Sequence, residues 1–272
     1  MAKVSLVITV KDEKTTLTSQ TRKPDEIIII DAYQNHKILN RSQGRNLGVK
    51  KATGDIIAFT DAGCIPDKNW LAELVKPFAD KNVQVVSGYY RGDPKSVFEA
   101  CLVPYVLVMP DKIPGQFFPS TRSMAIRKKL FVETGGFNES IDPAEDFEYA
   151  TRLNKLGIKF HFAPLAIVSW RPRKNLGEAA WMFLRMAVGD IQAGLLRPKV
   201  KLLFLRYYVF FFLFFLNHWT FVLVFPYLIW AIAKNYRYIK DIRAIFWLPV
   251  LQLTADICVI FGTIMGILSK SK

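Results

Sequence analysis

Asp31, Asp61, Glu145 and Asp146 are the residues of this chain whose types and spacing could do chemistry. Asp31 closes the apolar run Glu26–Ala32 (EIIIIDA), and Asp61 closes another inside Gly44–Trp70 (GRNLGVKKATGDIIAFTDAGCIPDKNW). Glu145 and Asp146 stand side by side in a short acidic run far downstream. Carboxylates so placed can offer hard oxygen ligands to a divalent cation or take a proton from a reacting hydroxyl. Any one aspartate taken singly is also explained as a helix N-cap or turn residue, and a charged first helical turn accounts for the Glu145-Asp146 pair taken alone. Several such residues at the ends of apolar runs point to one shared site.

The elements that must position them are short and rich in β-branched residues. Val4–Val10, Ile27–Ile30, Ile56–Thr60 and Val83–Ser87 are too continuous to be half-exposed, so they predict buried parallel strands separated by helices. Ligands of such open α/β sheets sit beyond the carboxyl ends of the strands. Lys11-Asp12-Glu13, Asp31 and Asp61 all fall there. An apolar run ending in Asp, a basic helix and a second apolar run ending in Asp-X-X-Cys is how a nucleotide-sugar pocket is usually built.

The rest of the chain is bounded by composition. Its 272 residues leave room for one α/β domain and something more, and 51% hydrophobic content is high for a soluble protein. The excess lies in Leu202–Ala233 and Ala244–Leu268, each long enough to cross a hydrocarbon core of about 30 Å. They predict a two-helix membrane hairpin, so the expected regions are 1–198 and 199–272. A buried helical bundle is the alternative. Asn217, His218 and Asp256 interrupt the two spans and are expected to face a partner helix or a cavity. Glu178–Leu196 places Trp181, Leu184, Val188, Ile191 and Leu195 on one stripe, which either lies in the membrane interface or packs on the domain.

The formal charge of +14 fits anionic headgroups beside the hairpin and a diphosphate in the pocket. Nucleic acid is not expected, because no helix-turn-helix, zinc finger or RNA-binding aromatic motif accompanies the charge. Cys64, Cys101 and Cys258 are too far apart for a zinc ribbon, and their odd number speaks against a disulfide framework. Val4–Val10 runs straight into charge, so no cleaved leader is expected.

TVKDE (Thr9–Glu13), PDEIIIIDA, GRNLGVKKATGDIIAFTDAGCIPDKNWL, STRSMAIRK (Ser120–Lys128), GGFNE (Gly135–Glu139) and EDFEYATRL (Glu145–Leu153) stand in the order and spacing of the family 2 glycosyltransferases. The resemblance covers about residues 3–195. It implies an α/β GT-A fold with a mostly parallel central sheet and inverting transfer of a sugar from a nucleotide donor, UDP- or GDP-linked. By position it implies that Thr9, Lys11 and Glu13 line the base and ribose pocket, that Asp31 meets the nucleobase, and that Arg45 and Ala62 lie with the donor. Asp61 would hold Mg²⁺ or Mn²⁺ on the diphosphate, and Asp146, with Glu145 beside it, would be the catalytic base.

The chain departs from the family in two places. Asp-X-Asp is here Asp61-Ala62-Gly63, which leaves Asp61 alone or with Asp67 on the ion, and Lys14–Lys23 is short for the first helix. Arg122, Arg127, Arg171 and Arg173 are candidates for a phosphate or the acceptor. Because the hairpin would put the pocket beside the bilayer, a lipid-linked or surface-glycan acceptor on the cytosolic face is expected. The alternatives are a polyprenyl-phosphate sugar synthase and a silent sugar-nucleotide-binding membrane scaffold.

Overall fold

The computed structural model describes residues 2–10, 19–34 and 37–270. Strands form where β-branched residues cluster: β1 (Val4–Val10), β2 (Glu26–Asp31), the short β3 (Tyr33–Gln34) and β4 (Lys37–Ile38), β5 (Ile56–Phe59), β6 (Cys64–Pro66), β7 (Val85–Gly92), β8 (Met124–Arg127) and β9 (Phe160–Trp170). β3 and β4 pair with each other, and the remaining strands make a seven-stranded sheet in the order β2-β1-β5-β8-β7-β9-β6. β1 is parallel to β2 and β5, and β7 to β9. β8 is antiparallel to β5 and β7, and β6 to β9. So β1, β2, β5, β7 and β9 share one direction, while β8 and β6 are reversed.

That reversal matters for the site. Phe59 at the carboxyl end of β5 pairs with Met124 at the start of β8, and Ile56 pairs with Arg127 at its end. The residues just before β8 therefore reach the same sheet edge as the residues just after β5. β2 departs from the expectation of a buried strand. It lies at the sheet edge, with Ile27 48% and Ile29 56% exposed.

The helices are α1 (Arg41–Lys51), α2 (Trp70–Val75), α3 (Val97–Val106), α4 (Lys128–Glu133), α5 (Glu145–Lys155), α6 (Leu176–Gln192), α7 (Pro198–Leu216), α8 (Val224–Ile239) and α9 (Ala244–Lys270). Of the expected first helix, Lys14–Lys23, residues 14–18 lie outside the described residues, and residues 19–23 are not helical. α1 opens on a capping box, in which the Asn40 side chain accepts from the Gln43 amide and the Gln43 side chain from the Asn40 amide. It then lies close on β1. A Cβ at Gly44 would come within 2.8 Å of Thr9 Cγ2, and one at Gly48 would collide with Val7.

The chain divides into one unit of Met1–Asp93 and Val108–Arg171, which holds the sheet, and a second of Pro94–Leu107 and Pro172–Lys272. In the second, Phe98, Cys101 and Leu102 of α3 share a core with Ala179 and Phe183 of α6 and with Ala244, Leu248 and Leu251 of α9. α6 buries Ala179, Phe183, Ala187 and Ile191; of the expected stripe Ile191 alone is among them, and Trp181 is 61% exposed. Small residues permit this packing. A Cβ at Gly262 of α9 would meet Leu184 O at 2.5 Å, and one at Gly266 would meet Ile191 Cβ at 2.8 Å.

The first apolar run is not one spanning helix. It breaks at Asn217, whose side chain caps a 3-10 turn over His218–Leu223 by accepting from the Trp219 amide at 3.0 Å. Among the described residues, one helix is long and apolar enough to cross a membrane, Ala244–Ser269, with mean hydropathy 1.9. Asp256, expected to face a partner helix, does so. It accepts from Arg206 and Tyr207 of α7, at 2.8 and 3.0 Å, from Tyr227 of α8 at 2.5 Å, and from Gln252 of its own helix at 2.9 Å.

Candidate active site

Asp61 stands two residues beyond β5. The Cys64 amide donates to Asp61 O at 3.1 Å, and Gly63 takes the left-handed conformation at φ 83°. The third residue of such a turn favours glycine, which has no Cβ to clash. A family enzyme would carry its second carboxylate at this turn position.

Arg45 reaches Asp61 from α1. Its Nη2 donates to Asp61 Oδ1 at 2.6 Å and its Nη1 to Glu145 Oε1 at 2.5 Å. One buried guanidinium thus fastens the end of β5 to the first turn of α5. Burial works to raise the pKa of Asp61, but Arg45, then Arg122 and Arg41, outweigh it and hold the carboxyl below its ordinary range. Burial prevails at Glu145, whose pKa is raised against the pull of Arg45.

Asp146, the next residue, has a different environment. Its Oδ2 accepts from Ser120 Oγ at 2.7 Å and its Oδ1 from the Phe147 amide at 2.8 Å. The carboxylate is half-buried at the helix N-terminus, where negative charge is favoured. Ser120 comes from the stretch that the reversed β8 brings to this edge. From the same stretch Arg122 sits with its Cζ 5.4 Å from the Tyr90 ring centroid and 5.7 Å from that of Trp170. Asp61 and Asp146 both act on its charge.

The start of α5 is itself fixed from two sides. Gly135 and Gly136 take left-handed conformations, and Asn46 of α1 accepts from the Phe137 amide at 3.0 Å while donating to Phe137 O at 2.8 Å. Arg152 of α5 donates to Gly136 O at 2.5 Å. GGFNE and EDFEYATRL are therefore, in large part, the scaffold that holds Asp146 in place.

The family model described as Glycosyl transferase family 2 matches residues 33–131 of the chain. Over that stretch the chain is similar to the family 2 glycosyltransferases. Pre-mycofactocin glycosyltransferase of Mycobacterium tuberculosis is 29% identical to it over 162 residues, which are 56% of this chain and 34% of that relative. The chain thus spans about a third of that protein's length. Glycosyltransferase AglE of Haloferax volcanii is 24% identical over 229 residues, covering 71% of this chain and 74% of AglE. Among solved structures, the mannosyltransferase PcManGT from Pyrobaculum calidifontis in complex with GDP-Man and Mn²⁺ superposes with a TM-score of 0.53 at 17% identity, covering 96% of this chain and 87% of that one. The fold is accordingly the α/β GT-A type.

The other expected residues separate. Thr9 is half-buried near the end of β1, Asp31 is exposed at the end of β2 and accepts from the Tyr33 amide at 2.9 Å, and Ala62 is half-buried in the Asp61 turn. Lys11 and Glu13 lie outside the described residues. Arg127 does not belong to the site. It ends the reversed strand, so it falls at the opposite sheet edge, where it donates to Val83 O, Phe78 O and Asp80 O at 2.8, 3.2 and 3.1 Å. Asp67 is paired with Arg91 at 3.0 Å, and Arg171 and Arg173 are exposed beyond the end of β9. Ser120, Tyr90 and Trp170 are site residues that sequence reasoning passed over. The reversal of β8 brings Ser120 to this edge, and the parallel β7 and β9 bring Tyr90 and Trp170 there at their carboxyl ends.

The donor set fits an ion that arrives with a diphosphate better than a resident one. Among the described residues no group of three or more His, Cys, Asp or Glu could hold a metal. Asp61 has one oxygen engaged by Arg45, which leaves Oδ2 as a ligand. Mg²⁺-type ions are commonly held by one or two carboxylates, with substrate phosphates and water completing the shell.

Proposed function

We propose that the protein is a membrane-associated, inverting glycosyltransferase that moves a sugar from a UDP- or GDP-linked donor to a hydroxyl of a lipid-linked or surface-glycan acceptor, with its family 2 domain on the cytosolic face. The observation that carries this reading is Asp146, held by the Ser120 hydroxyl at 2.7 Å in the same crevice as Asp61. The names of the curated relatives support it. So does the likeness of fold to PcManGT, which was solved with GDP-Man and Mn²⁺.

Asp146 takes the proton from the acceptor hydroxyl as its oxygen attacks the anomeric carbon. The bond from that carbon to the diphosphate breaks on the opposite face, so one displacement inverts the centre. No enzyme nucleophile is required. Ser120 orients Asp146 by donating to the oxygen Oδ2, and the other oxygen is held by the Phe147 amide. Glu145 and Arg45 are assigned to positioning, because their bonds to one another consume the groups that chemistry would use. A divalent ion, Mg²⁺ or Mn²⁺, on Asp61 Oδ2 would neutralise charge on the leaving diphosphate. α7 and α9 carry the membrane contact, since Leu205, Phe211, Phe212 and Phe215 of α7 and Phe261 and Leu268 of α9 are exposed.

The test is calorimetry of the full chain with UDP, GDP and their sugar conjugates, with Mn²⁺ and with chelator, followed by transfer assays on Asp146→Asn. Metal-dependent binding of one nucleotide class is expected. Asp146→Asn should keep that binding and lose about 10²- to 10⁴-fold in transfer to a hydroxyl. Turnover near that of the unaltered protein would remove Asp146 from the role of base.

A further inference from the structure

The arginines around the crevice are mostly spoken for. Arg45 is divided between Asp61 and Glu145, Arg91 is paired with Asp67, and Arg152 is bound to Glu148 and the Gly136 carbonyl. Arg122 is different. Among the described residues it makes two ring contacts, to Tyr90 and Trp170, and no carboxylate or carbonyl accepts a hydrogen bond from it.

Its position is nevertheless tightly fixed. Thr121 and Ser123 on either side are buried, and Ser123 Oγ accepts from Trp70 Nε1 at 2.8 Å and donates to Ala166 O at 3.0 Å. Arg122 itself is half-buried, so it is only partly withdrawn from water. The rings attract its charge but accept none of its N–H bonds in the way an oxygen does. A partly desolvated guanidinium with its donors unused is a costly arrangement unless a ligand completes it. The fork of a guanidinium matches two oxygens of a phosphate.

We propose that Arg122 is the receptor for a phosphoryl group of a substrate of this site, bound between the carboxyl end of β5 and the first turn of α5. This rests on the transferase reading and adds the substrate class to it. The phosphoryl group has two possible sources, the diphosphate of the donor and a phosphate carried by the acceptor. A merely structural Arg122, screening Asp61 from Asp146, would bind neither.

The experiment compares the full-length protein with Arg122→Gln by calorimetry in detergent with Mn²⁺. UDP and GDP are set against uridine and guanosine, and geranyl phosphate against geraniol on the nucleotide-loaded protein. If the donor is the source, affinity for the nucleoside diphosphate falls about 10- to 100-fold, the effect of a lost charge-assisted hydrogen bond, and the nucleoside is unaffected. If the acceptor is the source, the diphosphate binds as before, geranyl phosphate loses the same factor, and geraniol is unaffected. Arg122→Lys, which keeps the charge without the fork, should recover part of the loss.

Unchanged affinity for every phosphate probe would overturn the proposal, as would loss of all probes together with a lowered unfolding midpoint. Should Arg122→Gln fail to fold, Arg122→Lys carries the same comparison, and wild-type affinity for every probe would again overturn it. Failure of the unaltered protein to bind any nucleotide would count against the transferase reading itself. Geranyl phosphate against geraniol, titrated on the unloaded protein, would still decide Arg122.

Discussion

Arg45 holds the crevice together, and its energetics follow from burial. It is 3% exposed and bonded to Glu145, also 3% exposed. Removing one partner of such a pair leaves an uncompensated buried charge, at a cost of about 3–5 kcal/mol. Arg45→Met is therefore expected to destabilise the protein by about that much in chemical unfolding, and adding Glu145→Gln should restore part of it. A double variant no better than the single one would show that Asp61, not Glu145, is the costly orphan. At this scale the positions of Asp61 and Asp146 were legible in the sequence, one just past the end of its apolar run and the other in the first turn of the EDFEYATRL helix. The task of Arg45 was not, because its bond to Glu145 joins residues 100 apart through the orientation of α1. Arg127 misled for a related reason. Its type suggested a phosphate, but strand direction puts it at the wrong end of the sheet.

Elements in this fold are seated by small residues and by edge hydrogen bonds. Gly48 lets α1 lie on β1, and a methyl group there would drive into Val7. Gly48→Ala should cost about 1–3 kcal/mol by overpacking and, by lifting α1, weaken nucleotide binding through Arg45. A stable variant with full nucleotide affinity would show that α1 can shift without moving the site. Glu26 plays the comparable part for β2. Its carboxylate accepts from the Ser5 hydroxyl, from the Thr53 amide at 2.5 Å and from the Gly54 amide at 3.1 Å. The Ser5 hydroxyl and the Thr53 amide foremost hold its pKa down from 4.5 to about 2. A depressed carboxyl stabilises the fold above its unfolded pKa, and that contribution is lost as pH falls through the folded value. Glu26→Gln should thus lower the unfolding midpoint at neutral pH, with the gap closing between pH 4.5 and about 2. A gap that stays constant with pH would assign the effect to packing instead. Continuous β-branched runs located β1, β2 and β5 well, but could not tell the central strands from the edge strand, since both are equally apolar in sequence. Of the two readings of the α6 stripe, packing on the domain does not hold for Trp181, which is exposed. The large residues of α6 suggested one face, whereas Ala179 and Ala187 are buried on another.

The apolar half of the sequence makes its own demand on the molecule. Read by length alone, Leu202–Ala233 and Ala244–Leu268 were equivalent spans, yet Asn217 caps a turn that breaks the first, and Ala244–Ser269 alone meets the length and hydropathy of a crossing helix among the described residues. Nor is this region a detachable anchor. α9 shares a core with Phe98, Cys101 and Leu102 of α3 and Phe183 of α6, which come long before it in the chain. Removing residues 244–272 would expose those side chains along with the face of α6 that Gly262 and Gly266 approach. Uncovering several large side chains at about 1.5–3 kcal/mol each exceeds what a marginally stable fold tolerates. The truncated chain is therefore expected to aggregate in the absence of detergent, whereas the full chain should stay in the membrane pellet through an alkaline carbonate wash. A monodisperse, folded truncation would mean that α3 and α6 close on each other without α9. The intact chain appearing in the carbonate supernatant would instead reduce α7 and α9 to a peripheral contact, and with it the case for an acceptor delivered from the bilayer.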